Sequence, residues 1–194
     1  MSVDNKKTTK RFVGDSEERI RADFYPTPGW AVTALLQREN FSGTFWEPAC
    51  GKGDISKILI GSGFDVHSTD ILDYGYGISG VDFLNENSMF SDSHTVVNNI
   101  ITNPPFNIAL EFIKMSKRAA DQKIAMFLKT TFLEGVERQQ MWKDTVFPFK
   151  KMYQFSRRVS FGKENKTHKN GGMMAFAWFV WDKNHSGSAT IDWI

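Results

Sequence analysis

The sequence predicts an α/β domain with a mostly parallel sheet, helices on both faces and an antiparallel hairpin at its carboxy-terminal edge. Three observations carry this reading. Apolar, β-favouring runs alternate with segments whose apolar residues recur at helical spacing, an order that lays strands side by side in parallel. Residues 43–70 read strand, glycine loop, helix, strand, acid, which is a βαβ unit. The last two apolar runs follow one another without a helix between them, so they should pair antiparallel.

In chain order, residues 1–21 carry mixed charge and no clear period, and read as a mobile arm or a short helix ahead of a domain at 22–194. Tyr25-Pro26-Thr27-Pro28 then leads into helical spacing over 31–38, with Thr27 as the expected N-cap and Pro28 at the first helical position. The first strand, 44–49, runs into Cys50-Gly51-Lys52-Gly53-Asp54, and Ile55, Ile58 and Leu59 mark the inner face of a helix that Gly61 and Gly63 end. Residues 64–69 alternate as the second strand and finish at Asp70. A glycine-rich loop at 75–80 precedes a short apolar patch, 81–84, that holds Asp82. The strand 95–102 stops at Asn103-Pro104-Pro105-Phe106. A helix over 109–120, a strand over 123–128 and a helix over 132–142 follow, and strands at 151–155 and 173–181 close the domain around a basic segment.

Chemistry concentrates at the strand ends, where open α/β sheets keep their sites. Two prolines stiffen the turn after Asn103, so the Asn103 and Phe106 side chains are held, either as a rigid strand-ending turn or as a site. Gly51 and Gly53 lie where the backbone must turn sharply and come close to a ligand. The loop lacks the third glycine of a dinucleotide fingerprint and any Gly-Lys-Ser/Thr ending, which argues against a pyrophosphate cradle or a P-loop. Asp70 stands where an acid accepts both ribose hydroxyls, unless it only caps its strand; Asp82 and Phe83 would then hold an adenine by its amine and its face.

Bulk properties narrow the classes. With 194 residues, 41% apolar and 24% charged, the chain fits one globular domain. No apolar run is long enough to span a bilayer and the amino terminus is no signal peptide, so a cytoplasmic location without membrane contact is expected. Cys50 is the single cysteine, and the four histidines show no ligand spacing, so no metal is expected. Net charge is only +2, yet Arg157, Arg158, Lys163, Lys166 and Lys169 cluster against Glu164 alone, which suggests one face for a polyanion.

Taken together, Asp23-Phe24-Tyr25-Pro26-Thr27-Pro28, Glu47-Pro48-Ala49-Cys50-Gly51-Lys52-Gly53 and Asn103-Pro104-Pro105-Phe106 resemble the ordered motifs of class I S-adenosylmethionine-dependent methyltransferases. The resemblance is to the DNA enzymes that methylate adenine N6, with the gamma-type motif order. It implies a single Rossmann-like domain with a seven-stranded sheet. It also implies S-adenosyl-L-methionine contacts from Tyr25, Thr27, Pro28, Glu47, Pro48, Ala49, Gly51, Gly53, Asp70, Ile71, Asp82, Phe83 and Asn103. Catalysis falls to Asn103, Pro104, Pro105 and Phe106, with Phe106 stacking on a base swung out of the helix. DNA contacts fall to Arg157, Arg158, Lys163, Lys166 and Lys169, and Phe161 is either a second aromatic clamp or a core residue. Fewer than 100 residues follow Phe106, which leaves no room for the large recognition domain usual in this order. Small stand-alone members occur in phages and mobile elements. RNA adenine-N6 methylation is the main alternative, and a non-catalytic nucleic-acid- or cofactor-binding protein of the same fold is a further one. A protein-glutamine enzyme normally ends the motif in tyrosine, and a cytosine-N4 enzyme begins it with serine or aspartate.

Overall fold

The computed structural model describes residues 25–85, 97–160 and 174–194. The expected arm at 1–21 and the basic-segment residues Phe161, Lys163, Lys166 and Lys169 lie outside them.

Seven strands form one sheet among the described residues: β1 (Phe45–Glu47), β2 (Val66–Ser68), β3 (Val97–Thr102), β4 (Ala120–Lys129), β5 (Phe149–Gln154), β6 (Phe176–Asp182) and β7 (Thr190–Trp193). Their spatial order is β2-β1-β3-β4-β6-β5-β7. The pairs β1–β2, β1–β3, β3–β4 and β5–β7 are parallel, and β6 runs antiparallel to both β4 and β5.

Strand alternation builds two cores, one on each face. On one face Ile100, Ile124, Met126, Phe179 and Trp181 pack against Phe112, Ile113 and Met115 of α3 (Ala109–Ala119) and against Met141 of α4 (Gln139–Trp142). The next residues along the same strands, Ile101, Ala125, Phe127, Trp178 and Val180, face the other way together with Phe45 of β1. They meet Ala31, Val32 and Leu35 of α1 (Gly29–Leu36) and Ile55 and Leu59 of α2 (Asp54–Gly61). Burying strands on both faces is what a parallel sheet covered by crossover helices requires. The Trp178 indole N–H donates to the Ala31 carbonyl at 2.8 Å, satisfying a polar group that burial would otherwise penalise and tying α1 to the sheet.

Several sequence expectations need correction. The antiparallel pair β5–β6 exists but is not the edge: β6 is inserted between β4 and β5, and β7, absent from the sequence reading, forms the outer edge. Every residue of β6 is buried, as suits a strand flanked on both sides. The helix expected over 132–142 is broken into 3₁₀ turns at Thr130–Leu133 and Val136–Arg138 and the four-residue α4, because Gly135 takes a positive φ of 118° between them. Thr27 does not cap α1. Pro28 occupies that place in an extended conformation, without a side-chain bond, and the Thr27 hydroxyl is used elsewhere.

Candidate functional site

A cavity of about 290 Å³ opens at the carboxyl ends of β1 and β3. Ten of the residues expected to hold a cofactor line it: Tyr25, Thr27, Glu47, Pro48, Ala49, Asp70, Ile71, Asp82, Phe83 and Asn103. Pro28, Gly51 and Gly53 do not.

The glycines work from behind the wall. Gly51, at φ 50°, donates its N–H to Asp70 Oδ2 at 2.9 Å. Gly53, at φ 77°, precedes the first residue of α2, and a Cβ there would stand 2.4 Å from the Tyr76 ring. The space Gly53 leaves is therefore taken by Tyr76 rather than by the cavity, a packing role the glycine pattern did not reveal.

Asp70 accepts from the Gly51 N–H on Oδ2 and the Leu72 N–H on Oδ1, both at 2.9 Å, and the Ile71 backbone also bonds to it. Burial pushes its pKa up, and these bonds oppose that shift. With three backbone bonds on about four lone-pair sites, the carboxylate keeps acceptor capacity for a ligand hydroxyl. Val81 N–H donates to the Asp70 carbonyl at 3.0 Å, which brings the following Asp82 and Phe83 to the same rim. Asp82 Oδ1 accepts the Leu84 N–H at 2.9 Å. Phe83, 2% exposed, packs edge-on against Trp46 at 5.1 Å and at a 41° tilt against Phe112 at 5.0 Å, so its position is fixed by the core. Below the loop, buried Glu47 accepts from the Ser56 N–H at 2.8 Å and from the Ser56 hydroxyl. Burial pushes its carboxyl up to about 8.

Across the cavity, the Asn103 amide nitrogen donates to the Tyr25 carbonyl at 2.9 Å and to Thr27 Oγ1 at 3.1 Å. A carbonyl can only accept, so the amide is oriented chemically and Oδ1 remains as an acceptor facing away from that pair. Pro105 lines the cavity and Pro104 is buried beside it. Half-buried Phe106 stacks on Tyr25 at 5.9 Å and 22°, and contacts Phe176 at 5.7 Å. Of the expected nucleic-acid contacts, Arg157 and Arg158 are described and exposed. The Arg157 guanidinium lies 3.8 Å from the Trp30 ring, on α1 and outside the cavity lining.

The sequence reading left nine lining residues unassigned, Pro26, Cys50, Asp54, Ile55, Tyr74, Val81, Leu84, Ile108 and Phe112. Ile108 and Phe112, two and six residues past Phe106, follow from the helix that the motif starts. Tyr74 lies in a loop without a periodic signal.

Two acids, an apolar wall and an oriented amide thus meet around one cavity, in a domain whose fold is the Rossmann-like fold of methyltransferases of known structure. The modification subunit of a provisionally named type I restriction enzyme from Vibrio vulnificus is 13% identical with a TM-score of 0.64, over 95% of this chain and 49% of that one. A provisionally named class I S-adenosylmethionine-dependent methyltransferase from Listeria monocytogenes is 9% identical with a TM-score of 0.55, over 86% and 62%. A provisionally named RNA methyltransferase from Pyrococcus horikoshii is 15% identical with a TM-score of 0.60, over 82% and 86%. This chain thus spans about half the length of the Vibrio subunit and 62% of the Listeria protein. At these identities the likeness is one of fold. The sequence matches no protein-family model and no curated protein.

Proposed function

We propose that this chain transfers the methyl group of S-adenosylmethionine to the exocyclic N6 of adenine in DNA. The observation that carries the reading is the orientation of Asn103, whose Nδ2 is held by the Tyr25 carbonyl at 2.9 Å and by Thr27 Oγ1 at 3.1 Å. Its Oδ1 is thereby left to accept a hydrogen from an incoming amine.

Bound S-adenosylmethionine supplies an electrophilic methyl on a sulfonium. Asp70 would accept a ribose hydroxyl with its remaining acceptor capacity, Asp82 the adenine amine, and Phe83 with Ile71 would pack on the ring. An exocyclic amine is a poor nucleophile because its lone pair is delocalised into the base. Asn103 Oδ1 and the Pro104 carbonyl, by accepting its two hydrogens, draw the nitrogen toward a tetrahedral shape and stabilise the positive charge it gains. No strong base is required before transfer, because the methylated nitrogen, cationic once its bond to carbon has formed, loses its extra proton to solvent afterwards. Holding nitrogen and methyl in line supplies most of the acceleration. That amine is inaccessible in a duplex, so the base leaves the stack and meets the Phe106 ring, while Arg157 and Arg158 contact phosphates together with Lys163, Lys166 and Lys169.

RNA is the second reading, favoured by the likeness to the Pyrococcus protein over most of both chains. Labelled-methyl transfer to duplex DNA, single-stranded DNA, structured RNA and protein, followed by nucleoside analysis, separates the readings. N6-methyladenine in DNA alone is the expected result, N6-methyladenine in RNA alone favours the second reading, and no transfer with cofactor bound points to a binding protein.

A further inference from the structure

A second cavity, of about 380 Å³, opens where β4 runs into the 3₁₀ turns, lined by Phe106, Asn107, Lys129, Thr131, Phe132 and Arg138 among others. It shares no lining residue with the first cavity, and the turn from Asn103 to Ile108 separates the two. Among the described residues its two ionisable lining residues are both cations, and none of the lining residues is a carboxylate.

Both cations are placed rather than free-swinging. Lys129 Nζ rests 4.5 Å from the Phe106 ring centre and has no carboxylate partner among the described residues. Arg138 Nη1 donates to the Phe132 and Glu134 carbonyls at 3.1 and 2.7 Å, and its guanidinium lies 4.4 Å from the Phe132 ring. Gly135 makes room for it, since a Cβ there would stand 3.3 Å from the guanidinium carbon. These bonds use one nitrogen and leave Nη2 and Nε as donors for an anion. Thr131 and Asn107 add neutral donors.

We infer that this cavity receives the phosphodiester of the nucleotide whose base stacks on Phe106, with Lys129 and Arg138 as its cationic partners. The inference rests on the nucleic-acid reading above. A base and its own phosphate are one ribose apart, and Lys129 is the ammonium that lies against the ring assigned to the base. A phosphate offers Lys129 charge-assisted bonds stronger than a cation–π contact, so the ammonium moves from the ring to the phosphate as the base arrives.

Full-length Lys129→Gln and Arg138→Gln are compared with wild type for binding to a duplex DNA, a single-stranded DNA and an RNA hairpin over a salt series. S-adenosylhomocysteine binding and thermal melting are measured alongside. Each variant should lower the slope of log affinity against log salt by about 0.9 on duplex DNA or about 0.7 on single strands, one phosphate contact's worth. The KM for nucleic acid should rise about tenfold, S-adenosylhomocysteine affinity should hold, and Lys129→Arg should restore the slope. The polymer on which the slope changes identifies the phosphate's source. Lys129 anchors no backbone, so a wild-type slope in Lys129→Gln overturns the inference, as does a wild-type chain that binds none of the three polymers. Wild-type binding without methyl transfer counts instead against the functional reading and leaves this one standing.

Discussion

Asn103 Nδ2 donates to Thr27 Oγ1 at 3.1 Å, across 76 residues of chain. The hydroxyl that local sequence assigns to a helix cap instead orients the amide that follows β3. Thr27→Val keeps the shape of the side chain and removes this acceptor. The expected result is a loss of about tenfold in kcat, on the order of 1–2 kcal/mol, with Thr27→Ser close to wild type. An unchanged kcat in Thr27→Val would show that Tyr25 alone orients the amide.

Gly53 and Tyr76 form a lock behind the loop. Gly53→Ala forces a side chain into the left-handed region and against the Tyr76 ring, so it should destabilise the fold by about 2–3 kcal/mol in chemical denaturation. The double variant with Tyr76→Ala should recover the steric part and not the backbone part. Full recovery would mean that the positive φ carries no strain.

Glu47 carries a pH signature. Its ordinary value of 4.5 rises to about 8 in the folded chain because it is buried at 2% exposure. Between those values the folded state holds a proton that the unfolded state has released. Stability therefore falls as pH rises through the window and levels off above about 8. Thermal melts should show Glu47→Gln gaining on wild type as pH rises from about 5 to 8. Parallel pH profiles for the two proteins would contradict this.

At the opposite end of the sheet, Glu39 meets Lys123 Nζ at 2.5 Å, Lys150 Nζ at 2.7 Å and the Tyr153 hydroxyl at 2.8 Å, and both lysines also reach Asp182. Burial raises the Glu39 pKa, but the bonds from Lys123, Lys150 and Tyr153 outweigh it and hold the carboxyl below its ordinary 4.5. The stability it contributes is thus present above 4.5 and lost as pH falls through the lower folded value. Glu39→Gln should cost about 1–3 kcal/mol at neutral pH, since it leaves two half-buried ammoniums sharing Asp182, while kcat of the folded fraction is unchanged. A melting temperature equal to wild type would show that Asp182 alone neutralises the pair.

Much of the site was legible because its signals are local. The apolar run of β3 ends abruptly at Asn103, and the glycine loop with Asp70 falls within one βαβ unit. What was not legible depends on distant pairing. β7 has four residues, too few to show a period, and the place of β6 between β4 and β5 is a choice among strand neighbours that no local pattern encodes. Thr27 has equal local claims as a cap and as a partner, and only the fold brings Asn103 to it. Gly135 in the middle of 132–142 was the visible sign that this helix would break.

The role of Asn103 is tested most directly by nucleoside mass spectrometry of duplex DNA incubated with S-adenosylmethionine and either wild type or Asn103→Ala, with cofactor affinity measured calorimetrically on both. Wild type should yield N6-methyladenine and Asn103→Ala none above background, while the two affinities agree within about threefold. N6-methyladenine from Asn103→Ala at the wild-type rate, or a methylated nucleoside other than adenosine from wild type, would contradict the assignment.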